Sequence, residues 1–323
     1  MADYFIAFWN LENLFDTFDS AERPEWLNNA LKKELTGWTE QVLERKIQRL
    51  SQIIRSLNEN RGPDLLGVCE VENRPVLERL VQSLAPLERN YDIAHHDAGD
   101  QRGIDVAFLY DRDLFSAHEQ FFHVILKRSG TRDLFQVNFK TRNETMLIVV
   151  GNHWPSRTGG QYESEPYRIT AAETLSYWAS RILDIQGKNV AVLMMGDFND
   201  EPFNRSITEY ALAGNSPKKV ENSQEPRFLN LMWPFLGQGI GSHYFQNFPN
   251  VLDQLWISKG ILTGASKMRV KENSAQIERL EAMIAPGEYK TPRRFSRPSA
   301  KDFDENGFSD HFPVSVVLNE DIV

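Results

Sequence analysis

The chain has 323 residues, and 36 Lys and Arg against 45 Asp and Glu give a formal net charge of −9. Hydrophobic residues at 41% and charged residues at 25% are those of an ordinary globular protein, which excludes a disordered, collagen-like or coiled-coil architecture. The acidic balance argues against a scaffold that coats nucleic acid by bulk electrostatics, although a local basic patch or bound metal ions can still hold phosphates.

The elements follow in chain order. Tyr4 to Asn10 is aromatic-rich and short, a buried strand ending in a polar residue. Residues 22 to 37, with Pro24, Asn28, Asn29 and Gly37, read as a connection. After Thr39, the spacing of Leu43, Ile47, Leu50, Ile54 and Leu57 predicts an amphipathic helix. Gly62 and Pro63 mark a turn into Leu65–Glu70, a second buried strand ending in an acid. Pro75 opens a helix with Leu77, Leu80, Val81 and Leu84, and strands follow at 91–95 and 106–110. Leu147–His153 and Val190–Asp197 are further apolar strands, separated by a helix carrying Ala171, Leu175, Trp178, Ile182 and Ile185 on one stripe. Late strands fall at 252–258 and 312–318, and 259–301 is the least readable stretch. No repeat, low-complexity tract or interdomain linker is visible, so residues 1–323 read as one domain.

Several apolar runs end in acids, amides or histidines: Asn10, Glu70, Asn152-His153, Asp197-Phe198-Asn199, Asp253 and Asp310-His311. A core has no use for such residues there, and α/β folds gather their sites at strand ends, so one polar cleft drawing on most of the chain accounts for them. Glu70, with Asp310 or other carboxylates and waters, suits a hard cation such as Mg²⁺ better than zinc. Asn10 and Asn199 offer neutral amides to phosphate oxygens, and His153 and His311 can donate to a developing oxyanion. Asp197 is placed to activate a water and Asp253 to hold a histidine in its working tautomer. Together these parts make a metal-assisted phosphoester hydrolase.

Five blocks in this order, Trp9-Asn10, Asp64–Glu70, Gly196-Asp197-Phe198-Asn199, Leu252–Ser258 and Ser309-Asp310-His311 followed by Phe312-Pro313-Val314, resemble the signatures of the endonuclease/exonuclease/phosphatase superfamily. The resemblance spans residues 4 to 318 and implies a four-layer α/β sandwich, two packed mixed β-sheets flanked by helices. It implies that Glu70 ligates the essential metal, Mg²⁺ with Mn²⁺ as a substitute, with Asn10 beside it. Asp197 would align or deprotonate the attacking water, and Asn199 would stabilise the pentacovalent transition state. His311 would contact the scissile phosphate with Asp253 as its partner, while Asp310 supports metal or histidine. Asn152-His153-Trp154-Pro155-Ser156-Arg157 resembles the deoxyribonuclease-I-like branch, in which a second histidine assists, and Asp105 is the candidate partner for His153. The wording around Cys69–Arg74 and Gly196–Pro202 resembles bacterial members known only at family level.

Bland readings compete at several positions. Asn199-Asp200 alone would suit a turn, and Glu72 and Asn73 a solvated turn and helix cap. His95 and His96 read as ordinary surface or strand-end histidines, and His118, His123 and His243 have no motif support. Asp253 is harder to dismiss, because a buried unpaired carboxylate is costly. Arg157 and Arg102 flank site blocks and rank first among phosphate contacts, above Arg168, Arg293, Arg294 and Arg297. Residues 231–236 read as core packing rather than a membrane-touching loop.

The leading reading is a Mg²⁺-dependent phosphodiester hydrolase acting on nucleic acid, DNA or RNA, by in-line attack of an activated water. The alternative is the same chemistry on small phosphoesters such as inositol phosphates, nucleotides or phospholipid head groups. A catalytically silent binding protein would have lost part of the site, yet all of these residues are present. The single cysteine, Cys69, excludes an intrachain disulfide framework, and no run reaches the roughly 18 apolar residues of a membrane span. Met1–Tyr4 lacks the basic and apolar regions of a signal peptide, so the expectation is a cytoplasmic protein without stable membrane association, secreted only if a leader had been trimmed. Nothing in the sequence indicates a protein partner.

Overall fold

The computed structural model describes residues 1–128 and 130–321, so residues 129, 322 and 323 of the expected 1–323 domain lie outside the described ones. In chain order the elements are β1 (Ala2–Leu14), α1 (Glu25–Leu31), α2 (Glu40–Asn60), β2 (Leu65–Val71), α3 (Arg74–Ser83), β3 (Tyr91–His95), β4 (Asp105–Asp111), β5 (Phe115–His123), β6 (Leu134–Thr141), β7 (Met146–His153) and α4 (Gln161–Gln186). They continue with β8 (Ala191–Asp197), β9 (Ala213–Gly214), α5 (Pro217–Asn222), β10 (Phe228–Asn230), β11 (His243–Phe245), β12 (Phe248–Asn250), β13 (Asp253–Ile257), α6 (Lys259–Thr263), β14 (Met268–Val270), β15 (Gln276–Ile277) and β16 (Val314–Glu320).

Two seven-stranded sheets carry the fold. The first runs β14-β16-β1-β2-β4-β3, with β15 on β16, and the second runs β5-β6-β7-β8-β13-β10-β9. Both are mixed: β1 pairs parallel with β2 and antiparallel with β16, while β7 pairs parallel with β8, which pairs antiparallel with β13. Side chains alternate across a strand, and β7 shows the consequence. Leu147 and Val149 join the core shared with Tyr4, Phe8, Val68 and Phe108 of the first sheet, whereas Ile148 and Val150 pack with Ala171, Leu175 and Ile182 of α4. On the opposite side, α2 buries Leu43, Ile47, Leu50 and Ile54. The result is the four-layer helix–sheet–sheet–helix sandwich.

The predicted strands and helices are present, with longer bounds in places. α2 is capped as its sequence suggests, the Thr39 hydroxyl accepting from the Val42 N–H. The connection at 22–37 contains α1, whose apolar side chains Leu27 and Leu31 are buried. β5 and β6 went unpredicted; for β5 the reason is that Ala117 to Phe122 face water almost throughout, so no apolar run advertises the strand. Among the described residues, no helix is long and apolar enough to cross a membrane.

Candidate active site

Register, rather than sequence proximity, assembles the cleft. His153 at the end of β7 stands opposite Asp197 at the end of β8, and Asp253 at the start of β13 stands opposite Asp197 on its other side. Three titratable side chains thus lie side by side at the ends of neighbouring strands. β7 and β8 approach so closely here that a Cβ on Gly196 would lie 2.2 Å from the Asn152 carbonyl oxygen, which excludes any side chain at that position. The first sheet faces these strand ends with Asn10, paired with Cys69 just before Glu70.

His311 joins the two sides. Its Nδ1 lies 2.6 Å from Asp253 Oδ2, and its Nε2 lies 3.9 Å from Asp197 Oδ2 and 4.0 Å from Asp310 Oδ1. Burial alone would lower this imidazole, but Asp253, Asp197 and Asp310 outweigh it and hold His311 well above its ordinary value of 6.5. His153 shows the opposite response. Burial, with Arg132, Arg102 and His311 nearby, pushes it well below 6.5, so it stays neutral. Its Nε2 lies 3.7 Å from Glu70 Oε1 and 3.8 Å from Asp197 Oδ2, too far for hydrogen bonds. Burial raises the Asp197 carboxyl, with His311 opposing the shift.

The backbone is held tightly around these groups. Glu12, Asn13, Glu70 and Asn199 all adopt positive φ, between 51° and 60°, a region that non-glycine residues enter at a cost and that clusters at functional sites. Asn10 Nδ2 donates to Asp197 Oδ2 at 3.2 Å, and Asn10 Oδ1 accepts the Glu12 N–H at 2.9 Å. The Asn13 N–H donates to Glu70 Oε2 at 2.9 Å. Asn199 donates its backbone N–H to Asp197 Oδ1 at 2.9 Å and its side-chain amide to the Trp154 carbonyl at 3.0 Å.

Three expected residues sit differently from their sequence-derived roles. Asp105 does not partner His153: its Oδ1 accepts the Ala98 N–H at 3.0 Å, its Oδ2 faces His95 at 3.7 Å, and the buried His153 Nδ1 has no hydrogen-bond partner. Asp105 opens β4 opposite Val71 of β2, and its carboxylate is turned there to the Ala98 N–H and His95. Arg157 braces the loop after β8, its Nε donating to the Asn199 carbonyl at 2.8 Å and its Nη2 lying 3.3 Å from Asp200. Arg102 is hydrogen-bonded to Asn13 Oδ1 beside Glu70.

Sequence reasoning missed a buried charge network under the first sheet. Glu12 accepts the Phe295 N–H at 3.0 Å and pairs with Arg294 at 2.7 Å and with Lys46 at 3.9 Å. Lys46, fully buried, donates to the Phe308 carbonyl at 2.7 Å. Arg294 also reaches Asp310 at 3.6 Å. Burial lowers Lys46 to about 8, against the pull of Glu12, and raises Glu12 to about 7, with Asp310 adding to the rise. One signal was available: Lys46 stands three residues after Leu43, on the apolar stripe of α2. His243 was missed too; it bridges to His311 and its ring lies 4.7 Å from that of His311.

The donor set fits a divalent cation. Burial would raise Asp310, but His311, His243, Arg294 and Lys46 outweigh it and keep the carboxylate below its ordinary range, ready to act as an oxygen ligand. Asp253 Oδ1 is buried without a hydrogen-bond partner. His243, Asp310 and His311 form one group of ligand atoms within 4.8 Å of one another, and Asp197, Asp253 and His311 form another.

The model of the Endonuclease/Exonuclease/phosphatase family matches residues 5–320. No curated protein sequence matches the chain. Among solved structures it is similar to an endonuclease/exonuclease/phosphatase family protein from Bacteroides thetaiotaomicron, with 16% identity, 99% of this chain and 98% of that chain covered, and a TM-score of 0.58. It is similar to truncated TDP2 from Caenorhabditis elegans, with 14% identity, 98% and 97% coverage and a TM-score of 0.57. It is also similar to a mannosyl-6-phosphatase from Bacteroides thetaiotaomicron, with 16% identity, 98% and 99% coverage and a TM-score of 0.56. At these identities the structures speak for the fold alone, but the family match runs almost end to end: the chain belongs to the endonuclease/exonuclease/phosphatase family of phosphoester hydrolases.

Proposed function

We propose that the chain is a Mg²⁺-dependent phosphodiester hydrolase working as one domain, with Mn²⁺ as a substitute metal and nucleic acid as the leading substrate class. The observation that carries this reading is the alignment of His153, Asp197 and Asp253 at the ends of neighbouring strands, with His311 held by Asp253 at 2.6 Å. Asp253 fixes the tautomer of His311, so that Nε2 carries a proton toward the phosphate and steadies charge that develops there. Asp197 is held by the Asn10 amide and the Asn199 N–H, which orient its carboxylate for alignment of a water. His153, neutral, is the second imidazole able to accept or donate a proton. Glu70 with Asp310 and Asn10 would hold the cation, which when bound supplies Lewis-acid charge at the phosphate.

The small-phosphoester reading gains support from one feature. The arginines around the cleft are engaged by the chain itself: Arg294 by Glu12 and Asp310, Arg157 by Asp200, and Arg102 by Asn13. A long polyanion therefore meets few uncommitted guanidinium groups there. A cytoplasmic setting without membrane association belongs to the same proposal and is supported by the lone, buried Cys69.

Plasmid DNA, RNA and a panel of small phosphomonoesters and diesters, each with Mg²⁺, Mn²⁺ or chelator, separate these readings. Metal-dependent nicking or RNA cleavage supports the nuclease, and turnover of small esters alone supports the alternative. Silence on every substrate with either metal would contradict the proposed activity.

A further inference from the structure

We propose that His95, Asp97 and Asp105 form a second divalent-cation site, sharing no residue with the catalytic cleft, that staples the base of the 96–104 loop. β3 ends at His95 and β4 begins at Asp105, and these strands pair antiparallel with His95 opposite Ala107. Asp105, two residues from Ala107, therefore points to the same sheet face as His95. Asp97 follows in the loop that leaves β3.

The His95 Nε2 lies 3.7 Å from Asp105 Oδ2 and 3.9 Å from Asp97 Oδ1, and the three ligand atoms fall within 4.8 Å of one another. These separations exceed a hydrogen bond. They match two atoms that share a first-row cation, which at usual bond lengths and open angles stand about 3.4–3.9 Å apart. His95 has a side chain only 3% exposed, and its Nε2 has no hydrogen-bond partner, an arrangement that costs stability unless something fills the gap. Burial lifts the Asp105 carboxyl to about 6, with His95 only partly offsetting it. Asp105 Oδ1 is already committed to the Ala98 N–H, which leaves Oδ2 to face His95. Among the described residues, neither Asp97 nor Asp105 is ion-paired with a lysine or arginine.

Access is open as well. Asp97 and Asp105, though not His95, line a cavity of about 250 Å³ that they share with Ala98, Gly103, Arg23 and Arg74, so waters can reach the carboxylate side of the group to complete a cation's shell. One imidazole with two carboxylates suits Zn²⁺ or Mn²⁺ better than Mg²⁺, which favours all-oxygen shells. The loop tied at both ends carries Arg102, which is bonded to Asn13 next to Glu70. A cation here therefore positions Arg102 without touching the reacting phosphate.

The test is Mn²⁺ binding to the chelator-stripped full chain, followed by the electron paramagnetic resonance of free Mn²⁺, in a Glu70→Gln background that disables the other proposed site. The expected result is that about one Mn²⁺ per chain still binds and that Asp97→Asn and His95→Gln each weaken it by about 10–100-fold. Asp97 is 80% exposed, so Asp97→Asn should leave the Tm of the metal-free protein unchanged and remove the rise in Tm on adding Zn²⁺. No binding in the Glu70→Gln background, or binding that neither Asp97→Asn nor His95→Gln weakens, would overturn the proposal.

Discussion

The two sheets neutralise their buried acids in different ways. On the first sheet, Glu12 and Glu72 are paired with cations that stay charged near neutrality, Arg294 at 2.7 Å and Arg23 at 2.7 Å. On the second, Asp197 and Asp253 meet imidazoles instead: His153 and His311 lie near Asp197, and His311 lies against Asp253. A guanidinium fixes a charge, whereas an imidazole lets one move with pH. On the proposed function, the first side would keep its acids paired through guanidinium groups and the second would move protons.

The largest expected effect is on the mobile side. His311→Ala should lower turnover by about 10²–10⁴-fold, measured as the initial rate of ester cleavage at saturating metal, because it removes the proton-bearing group. Retention of the full rate would erase the contrast between the two sides. On the fixed side, Lys46→Met should cost about 3–5 kcal/mol of stability in a denaturant titration, since Glu12 loses a buried counter-charge. A loss below about 1 kcal/mol, as for an exposed pair, would show that the network is not a foundation.

A smaller effect separates the sides by pH. His311 is held above 6.5, so the folded state keeps a proton that the unfolded chain has released. Its contribution to stability is therefore complete below about 6.5 and is lost as pH rises through the raised value. Chelated protein should become less stable over that window, and Asp253→Asn should flatten the slope, as read from urea midpoints across pH. The smallest change is expected of Arg157→Lys, which keeps the charge but loses the forked grip on the Asn199 carbonyl and Asp200. Melting should fall by a few degrees while the substrate KM barely moves. A large rise in KM with unchanged melting would return Arg157 to phosphate binding.

Much of the second sheet's edge was legible in sequence because its strands are buried on both faces and end abruptly. Val190 to Met195 is an unbroken apolar run, so Asp197 stands out where it stops. Glu70, Asp253 and His311 were singled out by similar breaks beside apolar runs, and the structure brings Glu70 near His153 and His311 against Asp253. The Glu12–Lys46–Arg294 network was not, because its members lie 282 residues apart at the extremes and only folding shows that they share one buried space. The pairing of Asp105 with His95 was hidden for a related reason: which strand neighbours β4 is a fact of topology, and local spacing does not reveal that His153 stands in the other sheet. β5 was invisible because an edge strand facing water lacks the apolar pattern that betrays a central one.

The most direct test of the division of labour compares metal affinity with turnover in Glu70→Gln and Asp197→Asn, both in an Asp97→Asn background so that one cation site is read. Glu70→Gln should weaken Mn²⁺ binding and lower turnover together. Asp197→Asn should bind Mn²⁺ with nearly unchanged affinity yet turn over about 10²–10⁴-fold more slowly. Metal affinity lost to the same degree in both variants would contradict a site with one side for holding charge and another for moving protons.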